Sequence, residues 1–200
     1  QFLPKLASGE HIGCFCLSEP NAGSDAGSLT TMAEESGDHY LISGTKNYIT
    51  NGREANIAVV FAKTTKTENY KGISTFIVDM SSPGVSVMKC EDKLGIRGSS
   101  TAQIHFDNVK VPKDQLLGQK EKGFRIALET LDGGRIGIAA QALGIGEAAF
   151  RYSLKYASER VQFGKPISEL QAIQFKFADM STKLAASRAM IYLTSQRKDQ

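Results

Sequence analysis

The feature that most constrains this 200-residue chain is a change of character near Gly118. Before it, short β-type runs punctuated by Gly, Asn, Pro and Asp follow one another closely, at residues 11–18, 39–43, 46–50, 56–63, 73–80, 85–90 and 101–106. The Ser43-Gly44-Thr45 step reads as a hairpin turn between the second and third of these runs. Strands set so close predict an antiparallel barrel or sandwich, not alternating βαβ units. After Gly118 the strand signals stop. No proline falls between Gly123 and Glu159, and Phe124, Leu128, Leu131 and Ile138 recur at helical spacing, which predicts one long helix softened at Gly133-Gly134. The segment VQFGKPIS interrupts it, and a second helix is expected from about Glu169, with Leu170, Ile173, Phe177, Met180 and Leu184 on one side. Ser168 suits an N-cap, with Gln171 three residues on as in a capping box.

The expected class is therefore α+β and multi-domain. A β-domain spans 11–118, and 119–200 read as part of an all-α bundle. Residues 1–10 read as the tail of something earlier, so the chain is expected to be a fragment. Two long helices cannot bury both their faces, and further helices or another subunit must cover them.

Composition narrows the function. Charged residues at 22% and a net charge of +3, with the basic residues scattered among acidic ones, give no nucleic-acid track and no polybasic membrane patch. No apolar run reaches the length of a membrane span, and no secretory signal opens the chain. Cys14, Cys16 and Cys90 are an odd count, unlike a secreted disulfide framework, and point to a reducing compartment. Cys14 and Cys16 share a strand face and could approach one another as metal ligands; with no His or Cys cluster nearby, two small core hydrophobes is the reading preferred, and no metal is expected.

Four stretches are candidates for chemistry. CFCLSEPNAGSDAGS (14–28) drops from an apolar run into small and polar residues, offering the Ser18 hydroxyl and the thinly covered backbone of Ala22-Gly23-Ser24 to a flat polar ligand. A solvated loop would also fit. TKNYITNG (45–52) places Tyr48 and Thr50 on one strand face, suited either to a flat cofactor or to a half-buried strand ending in a turn. Gly144-Ile145-Gly146-Glu147-Ala148-Ala149 imitates a dinucleotide fingerprint, but lies inside a helical run with no strand before it, so small residues for helix packing explain it better. ERVQFGKP (159–166) sets Arg160 and Lys165 around Phe163-Gly164 at a break between helices, either a charged connector or an anion-and-ring contact. His11, His39 and His105 show no ligand spacing.

Taken in order, CLSEPNAGSDAGS, KNYITNG, KLGIRGSST, FDNVKVP, LDGGRIGIAAQALGIG and ERVQFGKPISELQAIQFKFADM resemble the acyl-CoA dehydrogenases, and most nearly their short-chain (butyryl-CoA) and short/branched-chain members. The resemblance implies an N-terminal helical domain, a middle β-domain and a C-terminal four-helix domain whose first half is residues 119–200, assembled as a homotetramer (a dimer of dimers), with FAD as cofactor. On that resemblance Phe15, Cys16, Leu17, Ser18, Gly23 and Ser24 belong to the loop along the isoalloxazine ring. Ser18 would bond the pyrimidine end, and Ser24 would be shared with the acyl-CoA substrate. Tyr48, Ile49 and Thr50 match the segment across the flavin, with Thr50 near N5; the family usually has Trp where Tyr48 stands. Arg160, Phe163 and Gln171 match positions reaching the FAD of a neighbouring subunit, and Asp132, Gly133, Gly134 and Arg135 a segment near bound acyl-CoA.

The activity implied is α,β-dehydrogenation of a short-chain, or 2-methyl-branched, acyl-CoA to the trans-2-enoyl-CoA, as in fatty acid β-oxidation. A glutamate removes the α-proton while the β-hydrogen leaves as hydride, and the electrons pass to electron-transfer flavoprotein. Most members carry that glutamate near the C-terminus, and a minority at the position of Gly134, so this chain is expected to lack its base and to be inactive alone. An acyl-CoA oxidase or flavin monooxygenase on the same scaffold, and a non-catalytic flavin or acyl-CoA binding fragment, are the competing readings. Mitochondrial matrix and bacterial cytoplasm fit equally.

Overall fold

The computed structural model describes residues 2–67 and 70–199, and the chain divides into two compact units, Gln1–Leu128 and Glu129–Gln200. In the first, a short helix α1 (Leu3–Ser8) ends where Gly9 takes a left-handed conformation and returns its N–H to the Leu6 carbonyl. Seven strands follow: β1 (Gly13–Cys16), β2 (Met32–Ser36), β3 (His39–Thr50), β4 (Ile57–Lys63), β5 (Ile73–Asp79), β6 (Val85–Cys90) and β7 (Thr101–Pro112). They join in the order β1-β4-β2-β3-β7-β6, with β5 on β4.

The burial pattern explains the order. β4 is apolar and buried on both faces and lies between β5 on one side and β1 and β2 on the other; β3 and β7 alternate, turning Tyr40 and Ile42, and Ala102, Ile104 and Phe106, into the core. Phe76 meets Tyr40 edge-on at 5.0 Å between centroids, and each such large side chain withdrawn from water contributes about 1.5–3 kcal/mol.

The α+β class holds, but the sheet is mixed. β1 runs parallel to β4 in register Gly13↔Ile57 to Cys16↔Val60, and β2 meets β4 in parallel at Met32↔Lys63. A parallel pair needs a long crossover, and the loop after β1 together with the β2–β3 hairpin supplies one. The hairpin expected at Ser43-Gly44-Thr45 is absent, since β3 runs unbroken through it. Gly44 is there for close approach: its φ is +153°, and a Cβ would lie 2.8 Å from the Thr31 Cα. The turn instead falls at Gly37-Asp38, joining β3 to β2, a charged strand whose short apolar content hid it from pattern reading.

In the second unit, α2 (Gly123–Glu159, beginning in the first unit) is continuous through Gly133-Gly134. A small hairpin of β8 (Val161–Gln162) and β9 (Lys165–Pro166) follows, then α3 (Gln171–Lys198). Phe150 packs on Phe177 at 5.7 Å, Glu147 pairs with Arg188, and Gly133 lies by Lys198, so α2 and α3 are antiparallel. No residue of α3 is buried, and Ile138, Ile145, Tyr152, Phe175 and Met190 remain exposed, as expected of two helices without further partners. Ser168 does not cap α3. A 3₁₀ turn at Ile167–Glu169 occupies that place, Leu170 is the N-cap residue and makes no side-chain capping bond, so the capping-box role of Gln171 falls away. Among the described residues no helix is long and apolar enough to cross a membrane.

Candidate functional site

Two segments that lie far apart in sequence meet at one edge of the first unit. The Ser18 carbonyl accepts the Asn47 N–H at 2.8 Å, which lays the loop after β1 against the end of β3. The loop pinches at Glu19-Pro20-Asn21-Ala22, where Glu19 and Ala22 exchange backbone hydrogen bonds of 2.9 and 3.1 Å. Beyond the pinch Gly23 and Ser24 are exposed, and nothing lies within 4 Å of where a Gly23 Cβ would stand.

The β3 segment is shaped by a bulge. Lys46 pairs with Ile104 and Ile49 with Ala102, so β3 carries one residue more than β7 between them. Tyr48 takes up the extra length at φ +58° and is 65% exposed, Ile49 points into the core and Thr50 out. The Asn47 side-chain oxygen, beside the junction of the two segments, is buried with no hydrogen-bond partner.

Of the residues predicted here, Ser18, Gly23, Ser24, Tyr48 and Thr50 stay open to a ligand. Phe15 is half-buried with its ring 4.9 Å from Phe61, while Cys16, Leu17 and Ile49 are buried and present only backbone. The Cys14 and Cys16 sulfurs lie 3.7 Å apart in the core, and the described residues hold no cluster suited to a metal ion. A hydrogen bond from Cys16 lowers the Cys14 pKa, whereas that shared bond and burial raise Cys16 well above the thiol range.

Sequence reasoning missed the ion pair beneath the junction. Lys46 and Glu19 approach to 2.9 Å with side chains 0% and 4% exposed. The Glu19 carboxylate also accepts the Thr30 N–H and hydroxyl at 2.7 and 2.8 Å and the Thr31 N–H at 3.0 Å, and Lys46 donates a second bond to the Leu17 carbonyl at 3.1 Å. Burial pushes Glu19 up, but the Lys46 charge and bond, with the Thr31 and Thr30 bonds, more than offset it and hold the carboxyl at about 2. Burial lowers Lys46, opposed by Glu19. A charged residue at an inward strand position was the available signal, masked because the bulge changes which positions point inward.

A second feature unmarked in the sequence is a cavity of about 590 Å³ lined by Lys71, Lys120, Lys122 and Arg125, with Glu121 and Leu128, and floored by Tyr70 and Phe124, whose rings stack at 5.2 Å. Its cations suit phosphate groups and its rings a flat heterocycle.

In the second unit the predicted residues fall into two groups that the structure keeps apart. Asp132 and Arg135 face one another at 4.0 Å on the exposed side of α2, flanking Gly133 and Gly134. Arg160 follows the far end of that helix, 28 residues on, or about 40 Å along its axis. Its carbonyl accepts the Ile167 N–H at 2.8 Å, closing the β8–β9 hairpin. At the hairpin tip Phe163 and Gly164 have φ of +52° and +75°, the type I′ pattern, which presents the Phe163 ring 90% exposed. Gln171 opens α3, exposed.

Comparisons with known proteins place the two units in one family. The family model for the acyl-CoA dehydrogenase middle domain matches residues 14–109, and that for the acyl-CoA dehydrogenase C-terminal domain matches residues 121–200. The mitochondrial short-chain specific acyl-CoA dehydrogenase of Bos taurus is 51% identical over 199 residues, covering 100% of this chain and 48% of that protein. Butyryl-CoA dehydrogenase from Megasphaera elsdenii is similar at TM-score 0.96 and 47% identity, over 98% of this chain and 52% of that one. A chain in the structure of the electron transferring flavoprotein of Acidaminococcus fermentans matches at TM-score 0.95 and 50% identity, again over 98% and 52%. The chain thus spans about half the length of the relatives it matches. Members of the family are FAD-dependent oxidoreductases acting on CH–CH groups, typically homotetrameric. With both family models in sequence order and the two segments joined at Ser18 and Asn47, this chain belongs to the acyl-CoA dehydrogenase family.

Proposed function

We propose that the loop Phe15–Ser24 and the strand end Tyr48–Thr50 hold the isoalloxazine ring of FAD, in a protein that dehydrogenates short-chain acyl-CoA thioesters. The observation that carries this is the junction itself. Two segments that the resemblance assigns to the flavin are fastened at 2.8 Å, and leave the exposed Tyr48 ring, the half-exposed Ser18 and exposed Thr50, and an unpartnered buried acceptor at one edge. These features fit a flat, polar-edged ring. Ser18 and Thr50 supply hydroxyls to its rim, Tyr48 covers it, and buried Cys16, Leu17 and Ile49 hold the backbone that frames it. When bound, FAD supplies the hydride-accepting chemistry.

For the substrate, Ser24 is placed to meet the acyl thioester. The cation-lined cavity suits the phosphates and adenine ring of the coenzyme A moiety. Asp132, Gly133, Gly134 and Arg135 are assigned to acyl-CoA on the resemblance of their segment. Arg160, Phe163 and Gln171, about 40 Å from Asp132 along α2, are too distant to share that site in one copy, which supports their reaching the cofactor of a neighbouring subunit. Homotetramerisation would cover the exposed faces of α2 and α3.

The domain reading remains 1–10, 11–118 and 119–200. The α-proton base is assigned to a glutamate outside this chain, since Gly134 carries no side chain. Electron-transfer flavoprotein is the proposed acceptor. Straight and 2-methyl-branched short acyl chains are both proposed substrates, and the relatives include mitochondrial and bacterial proteins, so both compartments stand. The test is an absorbance spectrum of the purified full-length protein followed by butyryl-CoA. A flavin band near about 450 nm that bleaches on addition supports the reading. A protein that stays colourless when offered FAD overturns it.

A further inference from the structure

We propose that Glu19 and Lys46 are positioning residues, a buried latch that assembles the loop 17–31 on β3 before any cofactor arrives. The inference rests on the flavin reading above and adds to it what holds the two segments in place. Lys46 fastens the start of the loop through the Leu17 carbonyl, and Glu19 fastens its end through the N–H groups of Thr30 and Thr31 and the Thr30 hydroxyl. The 2.9 Å contact between the two charges therefore closes the loop at both ends and ties it to the strand that carries Tyr48 and Thr50.

Loop composition alone gives no such order. Between the two ends stand Pro20, Asn21, Gly23, Ser24, Asp25 and Gly27, none of them buried. Apolar packing could hold such a loop down, but not at one angle. Charged hydrogen bonds are directional, and a buried charge stripped of its partner is costly, so the assembled state excludes partly docked ones. A buried ion pair is also commonly replaceable by apolar groups with little loss of stability. Its distinct contribution here is geometry, and geometry is what the test reads.

Amide hydrogen exchange of the purified full-length protein, measured with and without FAD, tests the latch without substitution. In the cofactor-free protein, peptides covering residues 17–31 and 46–50 are expected to exchange within about twofold of their FAD-bound rates. A loop that exchanges freely until FAD is added overturns the proposal. In the paired variant Glu19→Gln with Lys46→Met, those peptides should exchange at least tenfold faster, while peptides from β4 and β5 keep their protection and FAD affinity falls at least tenfold. A variant with protection and affinity unchanged overturns it. Should the variant not fold, the cofactor-free wild type still decides. A wild type whose loop is protected but which takes up no FAD leaves the latch standing and removes the flavin reading.

Discussion

Lys46 and Tyr48 are two residues apart on β3, yet Lys46 lies wholly inside the first unit and Tyr48 points out of it. A regular strand would put both on one face. The bulge between Lys46 and Ile49 inserts one residue and reverses the phase, so one short stretch supplies both a buried cation and an exposed ring.

The left-handed backbone of Tyr48 separates stability from binding. A non-glycine residue at φ +58° costs about 1–2 kcal/mol, which Tyr48→Gly would relieve while gaining flexibility in the unfolded chain. The melting temperature should stay within a few degrees of wild type. FAD affinity, followed by fluorescence titration, should fall about tenfold as the ring is lost.

Gly44→Ala should be severely destabilising. Its Cβ would lie 2.8 Å from the Thr31 Cα, at a φ of +153° that alanine disfavours, and Thr31 is one of the groups that hold Glu19. Urea denaturation should show a loss of about 2–4 kcal/mol, from overpacking and backbone strain together.

The Glu19 carboxyl sets an acid limit. Its pKa falls from 4.5 in the unfolded chain to about 2 in the folded one, so the folded state binds fewer protons. That contribution is complete above about pH 4.5 and is lost as pH falls toward 2. Burial lowers Lys46 as well, a cost below the usual lysine pKa that disappears only in strong alkali. Glu35, also held near 2 by Lys113 and Lys120, is solvent-exposed and should add little. Melting temperatures between pH 6 and pH 2.5 should drop more steeply for wild type than for Glu19→Gln.

At the β8–β9 tip, Gly164→Ala should cost about 1 kcal/mol through its φ of +75°, since nothing lies within 4 Å of the added methyl. Phe163→Ala removes a 90% exposed ring and should leave the melting temperature unchanged, while weakening cofactor retention in the assembled protein. Equal retention of FAD after gel filtration would count against a role for Phe163 in a neighbour's site.

Gly134 has open space around its missing side chain inside a regular helix. Gly134→Glu should therefore stabilise α2 by about 0.5–1 kcal/mol on propensity, read as a rise in melting temperature.

Much of this was legible in the chain. The switch from β to α near Gly118, the doubly apolar run of β4 and the long helix of α2 are set by periodicity, which local side-chain chemistry fixes. Composition marked out the stretches 14–28 and 45–52, but did not choose between a ligand-facing role and a solvated loop or half-buried strand. Ser168 misled because a cap depends on where the chain enters the helix, and a 3₁₀ turn took its place. Gly44 misled because a glycine that turns a chain and one that makes room for Thr31 read alike. By itself, the sequence determined most of the strands, both long helices and the order of the motifs that resemble the family, because those depend on residues near one another in the chain. Only the tertiary structure decided that Lys46 faces inward to meet Glu19, that β1 runs parallel to β4, and that the loop and strand meet at Ser18 and Asn47. Each of those is a register between distant segments, set by packing that no local pattern records.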